Sequence, residues 1–150
     1  MTQQDGHILR LLQTNSRMSN AELAQAVGMS QSACWRRVKA LEDNGVIDGY
    51  GARINAARAG QSFQAIVHVH LARHDPENLK SFIKGVSLRP EVRECYATTG
   101  QADYHLRVLC RDLDAYNVFL EQFLFLLPGV QSAQTNLVLR EIKSEGVFGG

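Results

Sequence analysis

Residues 19–50, SNAELAQAVGMSQSACWRRVKALEDNGVIDGY, decide how the first half of this chain folds. Ser19 followed three positions later by Glu22 is a capping box, which satisfies two orphan N–H groups and starts a helix. The apolar face of that helix is Leu23, Ala24 and Val27. Gly28 ends it, because glycine takes up the left-handed conformation without a Cβ clash. Ser30 is a second N-cap. Cys34, Val38 and Leu41 then fall at i, i+4 and i+7, so a second helix buries that stripe. Its outer side carries Gln31, Ser32, Trp35, Arg36 and Lys39. A short helix, a glycine turn and a second helix with a polar, basic outer face make the helix-turn-helix plan.

The residue types on that face suit duplex DNA. Residues 30–41 hold three cations, Arg36, Arg37 and Lys39, and no anion. Gln31 and Ser32 stand at the N-terminal end, where a recognition helix meets base edges, and both can hydrogen-bond there. The expected DNA-contacting set is therefore Gln31, Ser32, Trp35, Arg36, Arg37 and Lys39. For Trp35 three readings stay open: its indole stacks on a sugar, touches a thymine methyl, or packs against the first helix. The bland alternative is an αα-hairpin with a solvated basic side. Residues 1–50 hold five Lys/Arg and five Asp/Glu, so the positive charge is local. One copy alone would bind weakly, since phosphate neutralisation supplies most of the affinity, and a dimer or larger assembly would make up the deficit.

Before this stretch, a first helix is expected over about Asp5 to Gln13, with Ile8, Leu11 and Leu12 inward. After it, Asn44-Gly45 ends the third helix. Val46, Ile47, Tyr50, Ala52 and Ile54 then suggest a short extended return, a rudimentary wing. Residues 1–50 are the expected DNA-binding domain. Residues 51–61 read as a linker, because the stretch NAARAGQS from Asn55 to Ser62 is small and polar.

The second half changes period. Phe63, Ala65, Val67, Val69 and Leu71 alternate with Gln64, Ile66, His68 and His70, the pattern of a half-buried strand. Asp75-Pro76-Glu77 supplies a cap, a proline at the first helical position and an acid in the first turn. Leu79, Phe82, Ile83 and Val86 form that helix's apolar face. Glu91 to Thr99 reads as a second strand, Gly100-Gln101-Ala102 as a turn, and Asp103 to Cys110 as a third strand. Asp112 and Asp114 open a helix expected to run to Leu127, stopped by Pro128-Gly129. Val130 to Ile142 is the last strand, and residues 143–150 are a loose tail. The order is β-α-β-β-α-β, so residues 62–142 are expected to form a ferredoxin-like domain and the chain is of the α+β class. The helix from Asp112 is too apolar for its place. Phe119, Leu120 and the run Phe123–Leu127 cover more than the stripe a surface helix needs, so the excess packs on a partner chain, the favoured reading, or on the N-terminal domain.

Composition narrows the classes. A net charge of +1 excludes a grossly basic nucleic-acid coat protein. No apolar run approaches the roughly 20 residues of a membrane span, and MTQQDGHILRLL lacks the basic n-region of a secretory signal. Cys34, Cys95 and Cys110 are odd in number and widely spaced, which fits structural thiols in a reducing cytoplasm. His68 and His70 lie on one strand face at a spacing that can seat a metal. His105 and Arg107 are near in strand terms, but no third ligand is evident, and a polar dimer interface is the better reading. Asp112 and Asp114 serve as helix-cap carboxylates. With no nucleophile elbow, phosphate loop or cysteine cluster, no catalytic residue, metal or cofactor is assigned.

Read together, the two halves resemble the leucine-responsive/asparagine-responsive (Lrp/AsnC, feast–famine) family of transcription regulators. In the first half the resemblance rests on D-x-x-I-L at Asp5–Leu9, S-N-A-E-L-A at Ser19–Ala24, V-G-M-S and R-V-x-x-L-E within Val27–Glu42, and G-V-I-x-G-Y at Gly45–Tyr50. In the second it rests on E-C-Y-x-x-T-G at Glu94–Gly100, D-Y at Asp103-Tyr104 and L-P-G-V at Leu127–Val130. The resemblance implies a DNA-binding N-terminal domain and a C-terminal domain that dimerises sheet to sheet. It implies assembly of dimers into tetramers or octamers, and a small effector, often an amino acid, held between dimers near the loop joining the second and third strands. Here that loop is Thr98, Thr99, Gly100, Gln101, Ala102 and Asp103. Exposed N–H groups and threonine hydroxyls could hold a carboxylate, and Asp103 an α-ammonium. The plain alternative is a hairpin turn with Asp103 bonding its own backbone. Many members have G-D-x-D here; this chain has G-Q-A-D, so Gln101 removes a charge beside the site. Two further functions are weighed against a regulator. One is an enzyme of this architecture acting on a haem precursor through His68, His70, His105 and Arg107. The other is a ligand-sensing module working through protein partners. The polar, basic face of the second helix separates them, because a retired recognition helix should lose it.

Overall fold

Thr2 opens the first helix. Its hydroxyl accepts from the Asp5 N–H at 3.2 Å and the Asp5 carboxylate accepts from the Thr2 N–H at 2.6 Å, a capping box built on aspartate. Helix α1 is therefore Gln3–Thr14, a little longer than the expected Asp5 to Gln13. The computed structural model describes residues 1–72 and 75–144 and divides them into two units, one built on Met1–Arg53 and one spanning Ile54–Glu141.

In the first unit the Ser19–Glu22 box starts α2, Asn20–Val27, and Gly28 ends it at φ +68°. Ser30 accepts from the Ala33 N–H at 3.2 Å and starts α3, Gln31–Asp43. Ile8, Leu23, Ala24, Cys34 and Leu41 interlock as the buried core, with Val27, Val38 and Ile47 packed at its margin. The expected wing is not a strand: residues 46–54 are irregular. The Val46 and Ile47 N–H groups both turn back to the Leu41 carbonyl, at 2.9 and 3.0 Å, and the Tyr50 hydroxyl donates to Glu42 at 2.8 Å. Residues 1–53 contain no second strand for this segment to pair with.

In the second unit β1 (Phe63–Leu71), α4 (Pro76–Leu88), β2 (Val92–Ala97), β3 (Tyr104–Cys110), α5 (Leu113–Gln122) and β4 (Val130–Leu137) follow the expected order. The strands pair antiparallel as β2-β3-β1-β4, the ferredoxin-like arrangement. Both helices cover the face that carries Ala65, Val67, Val69, Leu106 and Val108, and Phe82, Val86, Tyr116 and Phe119 close over them. Strand β4 stops short of the expected Ile142. After the Val138 N–H reaches the Gln64 carbonyl at 2.9 Å, the chain has run past the start of β1, the one strand it pairs with among the described residues. Residues 145–150 of the expected tail lie outside the described residues.

Helix α5 also ends earlier than expected. Phe123 breaks it, and a 3₁₀ turn, Leu124–Leu126, swings the apolar run under the domain. Leu124 is fully buried, and the Phe123 ring lies 5.3 Å from Phe119 with the Arg89 guanidinium 4.6 Å above it. Leu127 packs where α4 has no side chain: a Cβ on Gly85 would fall 2.8 Å from it. The excess apolar surface expected to need a partner is thus mostly absorbed within this unit, and of the run only Phe125 (51% exposed) and Leu126 (71%) face outward.

Candidate nucleic-acid interface and effector loop

Helix α3 sorts its expected contact residues by angle. Gln31, Trp35 and Lys39 are four apart and form one ridge; Ser32 and Arg36 form the next. All five are exposed. Gln31, Ser32, Trp35 and Arg36 line a depression of ≈ 470 Å³ together with Asn20, whose carboxamide donates to the Gln31 carbonyl at 2.9 Å and ties α2 to the start of α3. Arg36 pairs with no carboxylate among the described residues. Lys39 is met by Asp43 one turn on, at 2.8 Å, which raises its pKa. Trp35 is 58% exposed and lines a second depression with Met18, Leu23, Val38 and Tyr50, none of them a residue of α1.

Arg37, expected on the DNA face, does not share it. It lies about 200° around the helix from Trp35, and its guanidinium meets Asp5 at 2.7 Å and Thr2 at 2.9 Å, both at the start of α1. The Asp5 carboxyl is held below the ordinary aspartate range, first by the Thr2 N–H, against partial burial, with Arg37 adding to the effect. This contact joins residues 32 positions apart and carries no periodic signal in the sequence.

The six-residue connection of β2 to β3 is pinned at its base. The Thr98 N–H donates to the Asp103 carbonyl at 3.1 Å and the Thr98 hydroxyl to the Ala102 carbonyl at 3.2 Å. Asp103 extends the β1–β3 pairing past its last pair, Val69–Tyr104. Its N–H donates to Val69 at 3.0 Å and its carboxylate accepts the Leu71 N–H at 2.8 Å. That side chain therefore bonds a neighbouring strand, not its own turn. Ala102 is buried, while Thr99, Gly100 and Gln101 form the exposed crest, with Gly100 at φ +116°.

The sheet face away from the helices is polar at its centre. The rings of His68 and His105 meet edge to face, 4.6 Å between centroids, and His68 Nε2 bonds the Asn136 carboxamide at 2.9 Å. Arg107 holds Glu94 at 2.7 Å, which lowers the Glu94 pKa. No group of three or more His, Cys, Asp or Glu among the described residues is placed to hold a metal ion. Cys34, Cys95 and Cys110 are free thiols, of which only Cys95 is exposed. No described helix is long and apolar enough to cross a membrane.

A capped helix-turn-helix with an exposed polar and basic α3, followed by an α+β domain with one face of its sheet uncovered by helices, defines a helix-turn-helix DNA-binding protein that carries a second domain. Comparison with known proteins agrees for both parts. A family model described as winged helix-turn-helix DNA-binding matches residues 1–48, and one described as the Lrp/AsnC ligand binding domain matches residues 64–148. The leucine-responsive regulatory protein of Klebsiella pneumoniae is 37% identical over 139 residues, covering 93% of this chain and 85% of that protein. Among solved structures, a transcriptional regulator of Neisseria meningitidis in complex with L-Met superposes with a TM-score of 0.94 at 35% identity, covering 99% of this chain and 96% of that one. An AsnC family regulator of Agrobacterium tumefaciens gives 0.91 at 34% identity, covering 96% and 94%. The chain belongs to the Lrp/AsnC family, and it is a DNA-binding transcription regulator of that type.

Proposed function

We propose that this regulator reads DNA with Gln31, Ser32, Trp35 and Arg36, with Lys39 on a phosphate, and that an amino acid sets its assembly and hence its DNA affinity. The observation that carries the reading is the shared exposed surface of those four side chains, with no carboxylate on Arg36 among the described residues while Arg37 is committed to α1. Two copies join through the bare sheet face around His68, His105 and Arg107, and dimers associate further into a tetramer or octamer. The effector lies between dimers at the loop Thr98–Asp103, with the N–H groups and the Thr99 hydroxyl of its exposed crest on the carboxylate and the second oxygen of Asp103 on the ammonium. A neutral crest at Gln101 favours a neutral side chain, and the L-Met complex of the Neisseria meningitidis regulator makes methionine the first effector to try. A ligand at such a seam shifts the population toward the assembly it binds better, and the spacing of the reading helices follows. The protein acts on chromosomal DNA in the cytoplasm and performs no catalysis. A gel-shift with the DNA upstream of its own gene, with and without each amino acid, tests this. The expected result is retardation that changes with one or a few amino acids; no retardation at low salt would contradict it.

A further inference from the structure

We propose that Trp35 reads the methyl group of a thymine in the major groove, so that a T·A pair is specified at that point of each half-site. This rests on the reading that the exposed face of α3 enters the groove. Trp35 is the chain's one tryptophan, and it stands 58% exposed one turn into α3. Its neighbours in the depression, Asn20, Gln31, Ser32 and Arg36, are all hydrogen-bonding groups, and the Asn20 carboxamide already serves the Gln31 carbonyl at 2.9 Å. The indole is thus the one large apolar side chain among the residues that line this depression. The edges exposed in the major groove are donors and acceptors with one apolar exception, the C5-methyl of thymine. An indole pressed on a polar edge strips water from groups it cannot replace hydrogen bonds for, whereas on a methyl it buries apolar surface at no such cost. Gln31 and Ser32 hydrogen-bond the base edges beside it, and Arg36 lies on the adjacent ridge.

The test uses the full-length protein and duplexes enriched by it from a random-sequence pool. Each thymine is replaced in turn by deoxyuridine, which removes the methyl and keeps the base pair. One position per half-site should weaken wild-type binding roughly fourfold, the worth of one buried methyl. Trp35→Ala should bind the thymine and uracil duplexes equally, and Trp35→Phe should keep part of the preference. Wild-type indole fluorescence should change on binding, and Trp35 is its only source. Wild-type binding indifferent to every replacement would overturn the proposal, as would a Trp35→Ala variant that binds thymine and uracil duplexes more weakly by one common factor and so keeps the wild-type preference, the result expected of an indole stacked on sugar. The thymine scan needs no variant, so a folding defect cannot obscure it. Enriched duplexes without thymine dependence sink this inference alone, whereas a pool that yields no preferred sequence sinks the DNA-reading proposal with it.

Discussion

Arg37 of α3 closes a 2.7 Å ion pair on Asp5 of α1, so one of the three cations of α3 fastens the three-helix unit together. Cationic residues adjacent in sequence thus have separate tasks. Arg36 faces outward, while Arg37, 100° further round the helix, is a strut with 34% of its side chain exposed against 13% for Asp5.

Arg37→Ala should lower the melting temperature of the N-terminal unit, at a cost of about 1 kcal/mol for a partly exposed pair, and leave sequence preference unchanged. Thermal melts and binding to enriched duplexes read the two effects separately. The pH dependence has a definite sign. The folded-state Asp5 pKa is lowered, so its contribution is present above the ordinary aspartate range and fades as pH falls through the lowered value. Asp5→Asn should flatten that acid-side decline in an acid titration followed by circular dichroism.

Gly28→Ala should destabilise the same unit by about 1 kcal/mol, the cost of holding a residue with a Cβ in the left-handed region. A Cβ there meets nothing within 4 Å, so the loss is conformational and not steric. A melt that is unchanged, or that collapses altogether, would show this turn to be held differently.

Two substitutions at Asp103 separate its structural and binding roles. Asp103→Ala leaves the Leu71 N–H without its acceptor and should cost about 1–3 kcal/mol. Asp103→Asn keeps an acceptor oxygen and loses the charge, so it should melt close to wild type. If the carboxylate also holds an effector ammonium, Asp103→Asn should lose amino-acid binding by calorimetry while staying folded. Equal heats from wild type and Asp103→Asn would place the effector elsewhere.

Dimer formation should depend on the bare sheet face and not on the 3₁₀ turn. Ile66 lies on β1 between the core positions Ala65 and Val67 and points to the bare side of the sheet. Ile66→Glu should yield folded monomers by light scattering. A Phe125→Glu, Leu126→Glu double variant alters only exposed side chains of the 3₁₀ turn and should leave dimers intact. A folded, dimeric Ile66→Glu would remove the bare face from the interface.

Much of this was legible from local chemistry. Ser19–Glu22, Gly28 and Ser30 mark helix boundaries because each satisfies or frees backbone groups within four residues of itself. The alternation from Phe63 to Leu71 placed Ala65, Val67 and Val69 inward because strand period is fixed by geometry. The misreadings are non-local. That Arg37 turns away to Asp5 depends on the helix packing that brings α1 beside α3. That Phe123 and Leu127 are used internally depends on Gly85, about 40 positions earlier, leaving room for them. The role of Asp103 was visible as an acid at a turn, but its partner Leu71 was visible only once β1 lay beside β3.

The most direct measurement compares affinities for the upstream operator and for a scrambled duplex of equal length, by fluorescence anisotropy at one salt concentration. A Gln31→Ala, Arg36→Ala double variant should lose discrimination by roughly tenfold or more, as expected when base contacts worth about 1–3 kcal/mol each are removed, while Arg37→Ala keeps the wild-type ratio. A double variant that discriminates like wild type, with Arg37→Ala losing the ratio, would contradict the reading role of Gln31 and Arg36.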